Sequence, residues 1–151
     1  MLPFRQQPPA PPLPTRYQLR TDLNPAAEAI NRLLASCGEA TPPLERWSDA
    51  LARSYGHLCI LDSADAELVG FVRITSDQAL NANLWNLSAK PGPDQAQLLA
   101  VLVHRALSCL RKELPGCSIS IAAPRSALDA LTSQGFLLDP GGIRAMGLRL
   151  R

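Results

Sequence analysis

Apolar residues along the chain follow two periods, one typical of strands and one typical of helices. Residues 57–61 and 68–75 are apolar runs of strand length, and the turn-forming residues 62–65 between them predict a hairpin. Further apolar runs or alternating patterns predict strands over residues 17–23, 82–88, 117–122, 136–138 and 143–150. We therefore expect a sheet of about seven strands.

Four segments carry apolar residues at helical spacing, between residues that start or stop helices. The first follows Asn24 and Pro25, an N-cap and a proline at the first helical position, and ends at Gly38. The other three are predicted to start at residues 41–43, at Pro93 and at residue 127. The third of the four helices is apolar on much of its surface, so we expect it to be buried against the sheet.

The resulting order, β-α-α-β-β-β-α-β-α-β-β, predicts an α/β fold with helices on the faces of a mixed sheet. The chain has 151 residues, enough for one domain with a core and too few for two ordinary ones. Six of its 14 prolines lie in the first sixteen residues, so we expect residues 1–16 to form a proline-rich disordered tail and residues 17–151 a single domain. The alternative for the tail is that its PPLP sequence docks on the aromatic groove of a protein partner.

Composition and charge argue against several classes of partner. The net charge of +2 predicts no nucleic-acid partner, and no apolar run reaches the ~20 residues of a membrane span. The first fourteen residues lack the apolar core and the cleavage site of a signal peptide. The four cysteines form no CxxC pair and lie in apolar patterns, so we predict a cytoplasmic protein without disulfides or a metal site.

The segment of residues 84–107 carries the main candidate chemistry. It predicts a buried strand, a tight turn at residues 90–93 and an amphipathic helix. A helix N-terminus at the end of a strand is suited to bind a phosphate, because free backbone N–H groups and the positive end of the helix dipole meet there. The turn lacks the glycines that usually let a phosphate approach the backbone.

The order of elements and two local motifs resemble the GNAT family, the Gcn5-related N-acetyltransferases, over residues 17–151. The first family motif, Pro-x-x-Arg/Gln-x-x-Gly-x-Gly/Ala, places its proline on Pro91 and its Arg/Gln position on Asp94. Its two small positions fall on Gln97 and Leu99. Three of the four named positions therefore depart from the motif.

The second family motif, Asn-x-x-Ala-x-x-x-Tyr-x-x-x-Gly-Phe, joins the fifth strand to the fourth helix. It falls on Pro124, Ala127, Leu131, Gly135 and Phe136, so the alanine and the Gly-Phe pair are kept. The asparagine and the tyrosine are not. In many family members this tyrosine donates a proton to the departing CoA thiolate, and Leu131 has no proton to donate.

The resemblance implies a mixed, mostly antiparallel sheet flanked by about four helices, and acetyl-CoA as the co-substrate. In the family, splayed fourth and fifth strands admit the pantetheine arm, and amides of the third helix hold the pyrophosphate. By position, the arm would be lined by the backbone of Leu87, Ser88 and Ala89. The pyrophosphate would be held by the amides of Gln95, Ala96, Gln97, Leu98 and Leu99.

The departures from the family affect both binding and chemistry. Asp94 brings a carboxylate toward the phosphates, where like charges repel, and Leu99 brings a bulky side chain there. The family often takes its base from the fourth strand, which has no acid here; Asp77 and Glu67 are the nearest carboxylates and neither is assigned a role. Trp85, on the same strand, is expected to pack in the core.

Two functions are therefore compatible with the sequence. One is acyl transfer from acetyl-CoA to an unidentified amine, which can proceed on proximity and oxyanion stabilisation without an acid or a base. The other is a catalytically inactive binding or regulatory module that keeps the GNAT fold. An enzyme predicts that the fourth and fifth strands diverge and leave a cleft, whereas a module predicts a closed seam filled by side chains.

Overall fold

One five-stranded sheet with helices on both faces forms the body of the protein. The computed structural model describes residues 8–142 and 146–149. The strands lie in chain order and are β1 (Tyr17–Arg20), β2 (Gly56–Asp62), β3 (Leu68–Ser76), β4 (Asn81–Ala89) and β5 (Ser118–Ile121). Neighbouring strands are antiparallel except β4 and β5, which are parallel.

Four helices connect these strands. They are α1 (Ala27–Ser36), α2 (Arg46–Arg53), α3 (Gln95–Glu113) and α4 (Leu128–Ser133), the last preceded by a short 3₁₀ turn. The sheet has a hydrophobic core on each face, and successive side chains of β2 point to opposite faces. Leu58 and Ile60 pack with α3, whereas Cys59 between them packs with α1 and α2. Among the described residues, no helix has the length and the apolarity needed to cross a membrane.

Helix α3 is buried against the sheet, as its apolar pattern predicted. Eight of its residues are buried, and Leu99, Leu102 and Val103 are fully so. The helix lies so close to the sheet that a Cβ at Gly70 would stand 3.2 Å from Leu102 Cδ1 and 3.1 Å from Ile60 Cβ. A glycine in β3 therefore sets how closely α3 can pack.

The mixed α/β fold is confirmed, whereas the described residues form five strands rather than about seven. Residues 136–138 were predicted as a strand and form none; Leu137 and Leu138 are 74% and 82% exposed, so burial does not favour pairing there. The last predicted strand, residues 143–150, lies partly outside the described residues. Its described part, residues 146–149, has no strand, and Met146 is 95% exposed.

The described part of the proline-rich segment, residues 8–16, forms no helix or strand but contacts the domain. The side-chain amide of Gln97 in α3 donates a hydrogen bond to the carbonyl of Pro12, and Leu13 packs against the core below α3. These residues are therefore packed more closely than a free tail would be. The division of the chain at residue 16 stays a prediction.

Candidate functional site

Strands β4 and β5 are paired over a short region only. Their register runs from Asn81 opposite Ser118 to Leu84 opposite Ile121. Strand β5 ends there, whereas β4 continues to Ala89. The second half of β4 therefore has no strand beside it on this side within the described residues, and this side of β4 is called the gap below.

A β-bulge interrupts β4 just beyond its paired region. Phe71 and Arg73 of β3 pair with Ser88 and Trp85 of β4, so β4 holds one residue more than β3 between these pairs. Asn86 lies in the bulge with a left-handed φ of 57°, and its Oδ1 accepts a hydrogen bond of 3.2 Å from Arg73 Nε. Because a bulge bends its strand and increases the twist, β4 changes direction just beyond the residues that pair with β5.

The end of β4 presents backbone groups to this gap. The amide of Lys90 donates to the carbonyl of Val69 in β3, so by alternation Ser88 also faces β3, while the backbone of Ala89 faces away from it. The Ala89 carbonyl accepts hydrogen bonds from Gln95 Nε2 at 3.0 Å and from the thiol of Cys37 at 3.2 Å.

The N–H of Ala89 therefore points away from β3, and the backbone of Leu87 lies in the bulge, where the regular alternation is interrupted. Of the three residues predicted for the arm, Ser88 has its backbone turned to β3 and its side chain buried.

The N-terminus of α3 lies beside the end of β4 and has two open amides. The amide of Gln95 donates to the Gly92 carbonyl at 3.2 Å, and that of Leu98 to the Asp94 carbonyl at 2.9 Å. Among the described residues, no acceptor is recorded for the amides of Ala96 and Gln97, and no side chain caps the helix. Of the five amides predicted to hold a pyrophosphate, these two are available to bind an anion.

The side chain of Leu99 does not obstruct this end of the helix, contrary to the expectation from the sequence. Leu99 is fully buried in the core between α3 and the sheet. Its position in the helix directs the side chain inward, away from the open amides, and its amide lies beyond the first turn. The bulk of Leu99 therefore supports the core and leaves anion access unchanged.

The carboxylate of Asp94 is held by a tyrosine. The hydroxyl of Tyr17 donates a hydrogen bond of 2.6 Å to Asp94 Oδ2, and this bond raises the pKa of Tyr17. The negative charge of Asp94 is thus present beside the open amides, as expected, but its carboxylate is hydrogen-bonded to Tyr17 of β1. No sequence pattern indicated this pair, whose members lie 77 residues apart.

Two ion pairs surround this end of the sheet. Arg16 is 2.5 Å from Asp62, and Lys90 is 2.7 Å from Glu67. The hydrogen bond from Arg16 lowers the pKa of Asp62. Arg16 and Lys90 are therefore already paired with carboxylates of the chain, whereas the open amides and the helix dipole favour an anion here.

A cavity of about 590 Å³ lies beside the paired region of β4 and β5 and is covered by α4. Its lining is largely apolar and includes Ile121, Leu131 and Phe136. Trp85 also lines it and is 43% exposed, with its indole N–H bound to Thr75 Oγ1 at 2.8 Å. The expectation that Trp85 packs in the core is therefore wrong, because alternation along β4 places this residue on the face opposite the buried Ala82 and Leu84.

Neither carboxylate near β4 is free to act as a base. Asp77 Oδ1 accepts hydrogen bonds from the amides of Ala79, Leu80 and Asn81, and these bonds lower the pKa of Asp77. Glu67 is paired with Lys90. No group of three or more metal-ligating side chains occurs in the part of the chain that the structure describes.

Curated proteins related to this chain are named as acetyltransferases. The chain is 29% identical over 119 residues to an uncharacterized N-acetyltransferase of Pyropia yezoensis, which covers 78% of this chain and 68% of the relative. It is 30% identical over 125 residues to a probable acetyltransferase of Glycine max, covering 76% and 50% respectively. A chloroplastic GCN5-related N-acetyltransferase of Arabidopsis thaliana is 33% identical over 82 residues, or 54% of this chain and 31% of the relative. No protein-family model matches the chain.

Solved structures share its fold. A probable acetyltransferase of meticillin-resistant Staphylococcus aureus has a TM-score of 0.77 at 14% identity, over 89% of this chain and 99% of that protein. A GNAT-family N-acetyltransferase of Escherichia coli in complex with CoA has a TM-score of 0.63 at 18% identity, over 83% and 71% respectively. At these identities the likeness establishes the fold alone.

Proposed function

The chain belongs to the GNAT family of N-acetyltransferases, and from this premise we propose that it transfers the acetyl group of acetyl-CoA to an amine at the gap between β4 and β5. The observation that carries the proposal is that β4 runs on beyond Leu84 without β5 beside it, next to a helix whose first turn has two open amides. A strand edge with unpaired backbone groups and an anion site at a helix N-terminus fit the two halves of CoA, an amide-containing arm and a pyrophosphate.

Backbone groups would provide most of the coenzyme contacts. The N–H of Ala89 faces away from β3, where an additional strand would pair, and together with the backbone of Leu87 in the bulge it would bind the amides of a pantetheine arm. The amides of Ala96 and Gln97 would receive the pyrophosphate. Gln95 borders the site, since its side chain spans from α3 to the carbonyl of Ala89.

The remaining predicted residues would support this arrangement without direct contact. Ser88 pairs with β3 and has a buried side chain, and Leu98 and Leu99 anchor the first turn of α3 in the core. The amides of Leu98 and Leu99 belong to the hydrogen-bond pattern of the helix. The proposed contact set is thus half of the set that the family resemblance implied.

When bound, acetyl-CoA supplies an activated acyl group, and the chain supplies orientation. Leu131 occupies the position of the family tyrosine and lines the cavity as a buried apolar side chain, so it donates no proton. Asp77 and Glu67 are engaged elsewhere. Catalysis would therefore depend on holding the amine next to the thioester and on backbone N–H groups of β4, effects that can contribute several kcal/mol.

Calorimetry with acetyl-CoA, followed by an assay of CoA thiol release in the presence of primary amines, tests the proposal. We expect saturable binding and thiol release that depends on the amine. Binding without release for any amine tested would favour the inactive binding module. Absence of binding at millimolar acetyl-CoA would show that the proposed function is wrong.

Location and further partners remain proposals. The cysteine pattern favours a cytoplasmic protein, whereas the Arabidopsis thaliana relative is named as chloroplastic. Fractionation of cells that express the full chain distinguishes these compartments. A protein partner for the proline-rich segment stays a prediction, tested by titrating the chain with a domain that binds proline-rich peptides.

A further inference from the structure

Three polar side chains of the first turn of α3 bind partners outside the helix. Asp94 accepts from the Tyr17 hydroxyl, Gln95 donates to the Ala89 carbonyl, and Gln97 donates to the Pro12 carbonyl. None of these side chains caps the helix. Two of the three partners come from the segment that precedes α1, so this segment determines where the polar groups of the first turn lie.

Asp94 stands at the N-cap of α3, but its backbone there is helical, with φ −94° and ψ −4°. An aspartate with an extended N-cap backbone commonly accepts hydrogen bonds from the amides two and three residues further on, and the positive end of the helix favours its charge. A change of the Asp94 backbone to the extended conformation would let its carboxylate cap α3. For Asp94 those amides belong to Ala96 and Gln97, the two that are open in this structure. A carboxylate bound to them would occupy the donors that a phosphate needs and would repel the phosphate by its charge.

Tyr17 is well placed to prevent this. Its backbone is fixed in β1 opposite Asp62, and its amide donates to the Pro14 carbonyl. The Arg16 guanidinium lies 5.4 Å from the centre of the Tyr17 ring and is itself paired with Asp62. Because the bond to Asp94 raises the pKa of Tyr17, the hydroxyl keeps its proton at neutral pH and acts as the donor.

We propose that Tyr17 is a positioning residue for the coenzyme site, because its hydroxyl holds the Asp94 carboxylate away from the amides of Ala96 and Gln97 and keeps these amides open for the pyrophosphate. This inference rests on the proposed function for its ligand. On this inference, Asp94 is compatible with phosphate binding although the family motif has Arg or Gln at this position. The negative charge remains, but a hydrogen bond from Tyr17 in β1 fixes the position of the carboxylate.

Amide hydrogen exchange of the CoA-free full-length chain, measured by NMR, tests the positioning without any ligand. In Tyr17→Phe we expect the amides of Ala96 and Gln97 to exchange at least about threefold more slowly than in the wild type, because Asp94 then caps them. In Tyr17→Phe/Asp94→Ala the protection should disappear, because no carboxylate remains. Unchanged exchange in Tyr17→Phe would overturn the inference.

Calorimetry with CoA then tests the consequence for binding. Tyr17→Phe should weaken CoA binding about five- to tenfold, while in the Asp94→Ala background the same substitution should change affinity less than twofold. The matched control is Tyr55→Phe, which removes a hydroxyl that donates to the Glu113 carboxylate at the other end of α3 and should leave affinity unchanged.

The outcomes separate the two proposals. If the wild type binds CoA and Tyr17→Phe binds it equally well, the positioning role is overturned and the proposed function stands. If the wild type does not bind CoA, the proposed function fails, and the coenzyme role of Tyr17 fails with it whatever the exchange data show. If Tyr17→Phe weakened CoA binding equally in the wild type and in the Asp94→Ala background, Tyr17 would not act through the Asp94 carboxylate, and the inference would be overturned.

Discussion

The two ends of α3 carry the same kind of contact and differ in what it leaves open. At each end a tyrosine hydroxyl binds a carboxylate: Tyr17 binds Asp94 at the N-terminus, and Tyr55 binds Glu113 at the C-terminus. At the C-terminus the next amide, that of Leu114, donates a hydrogen bond to the Leu110 carbonyl. At the N-terminus the amides of Ala96 and Gln97 have no acceptor among the described residues.

The difference shows that the site depends on unsatisfied donors and not on charge alone. Basic residues in the last turn and Asp94 at the N-terminus both complement the helix dipole. Within the part of the chain that the structure describes, the N-terminus also lies beside a strand edge without a partner, at the bulged end of β4. A site for an elongated anion needs both features at one place.

The largest expected effect is on the free energy of unfolding, through the hydrophobic core against which both ends of α3 pack. Leu99→Gly and Leu110→Gly should each lower the free energy of unfolding by about 3–6 kcal/mol, because each removes a buried leucine and places glycine inside a helix. Urea denaturation measures both. Similar losses would show that the two ends are equivalent in packing, whereas a stabilised Leu99→Gly would mean that Leu99 does not pack in the core.

Removal of one open amide should act on binding alone. Ala96→Pro takes away an N–H without a recorded acceptor in a first helical turn, where proline is tolerated. We expect CoA affinity to fall about tenfold, the contribution of one hydrogen bond to a charged group. The thermal midpoint, measured in parallel, should stay within a few degrees; equal affinity for CoA would place the pyrophosphate elsewhere.

Acid should weaken the anchoring of β1, which carries Tyr17. Arg16 lowers the pKa of Asp62 below its value in the unfolded chain, so this pair stabilises the fold above about pH 4 and the contribution is lost as the pH falls through the lowered value. Thermal unfolding from pH 6 to pH 3 should therefore show a smaller decrease for Asp62→Asn than for the wild type. Parallel curves would show that Asp62 contributes nothing to the acid sensitivity.

The smallest effect is expected for Tyr55→Phe. The contact between Tyr55 and Glu113 is exposed, so its loss should change the free energy of unfolding by less than about 0.5 kcal/mol. Chemical denaturation of this variant beside the wild type provides the measurement. If the free energy of unfolding fell by more than about 1 kcal/mol, the contact of Tyr55 with Glu113 would stabilise the helix. It would then differ in its role from the contact of Tyr17 with Asp94.

Local apolar periodicity was sufficient to predict most elements of the fold. The third helix was expected to start at Pro93 and runs over Gln95–Glu113, since its apolar surface extends over many turns. The short run of residues 136–138 misled the same reasoning. Three apolar residues are too few to separate a strand from an exposed turn, and here the leucines stay exposed.

The sequence by itself determined that a strand, a turn and a buried helix follow one another at residues 84–107, because these properties depend on neighbours along the chain. Only the tertiary structure decided what the site offers. The bulge at Asn86 arises from pairing with β3, and the direction of the Asp94 carboxylate from a hydroxyl 77 residues away. Both depend on contacts between distant residues, which a local pattern does not encode, and both determine which backbone groups stay open.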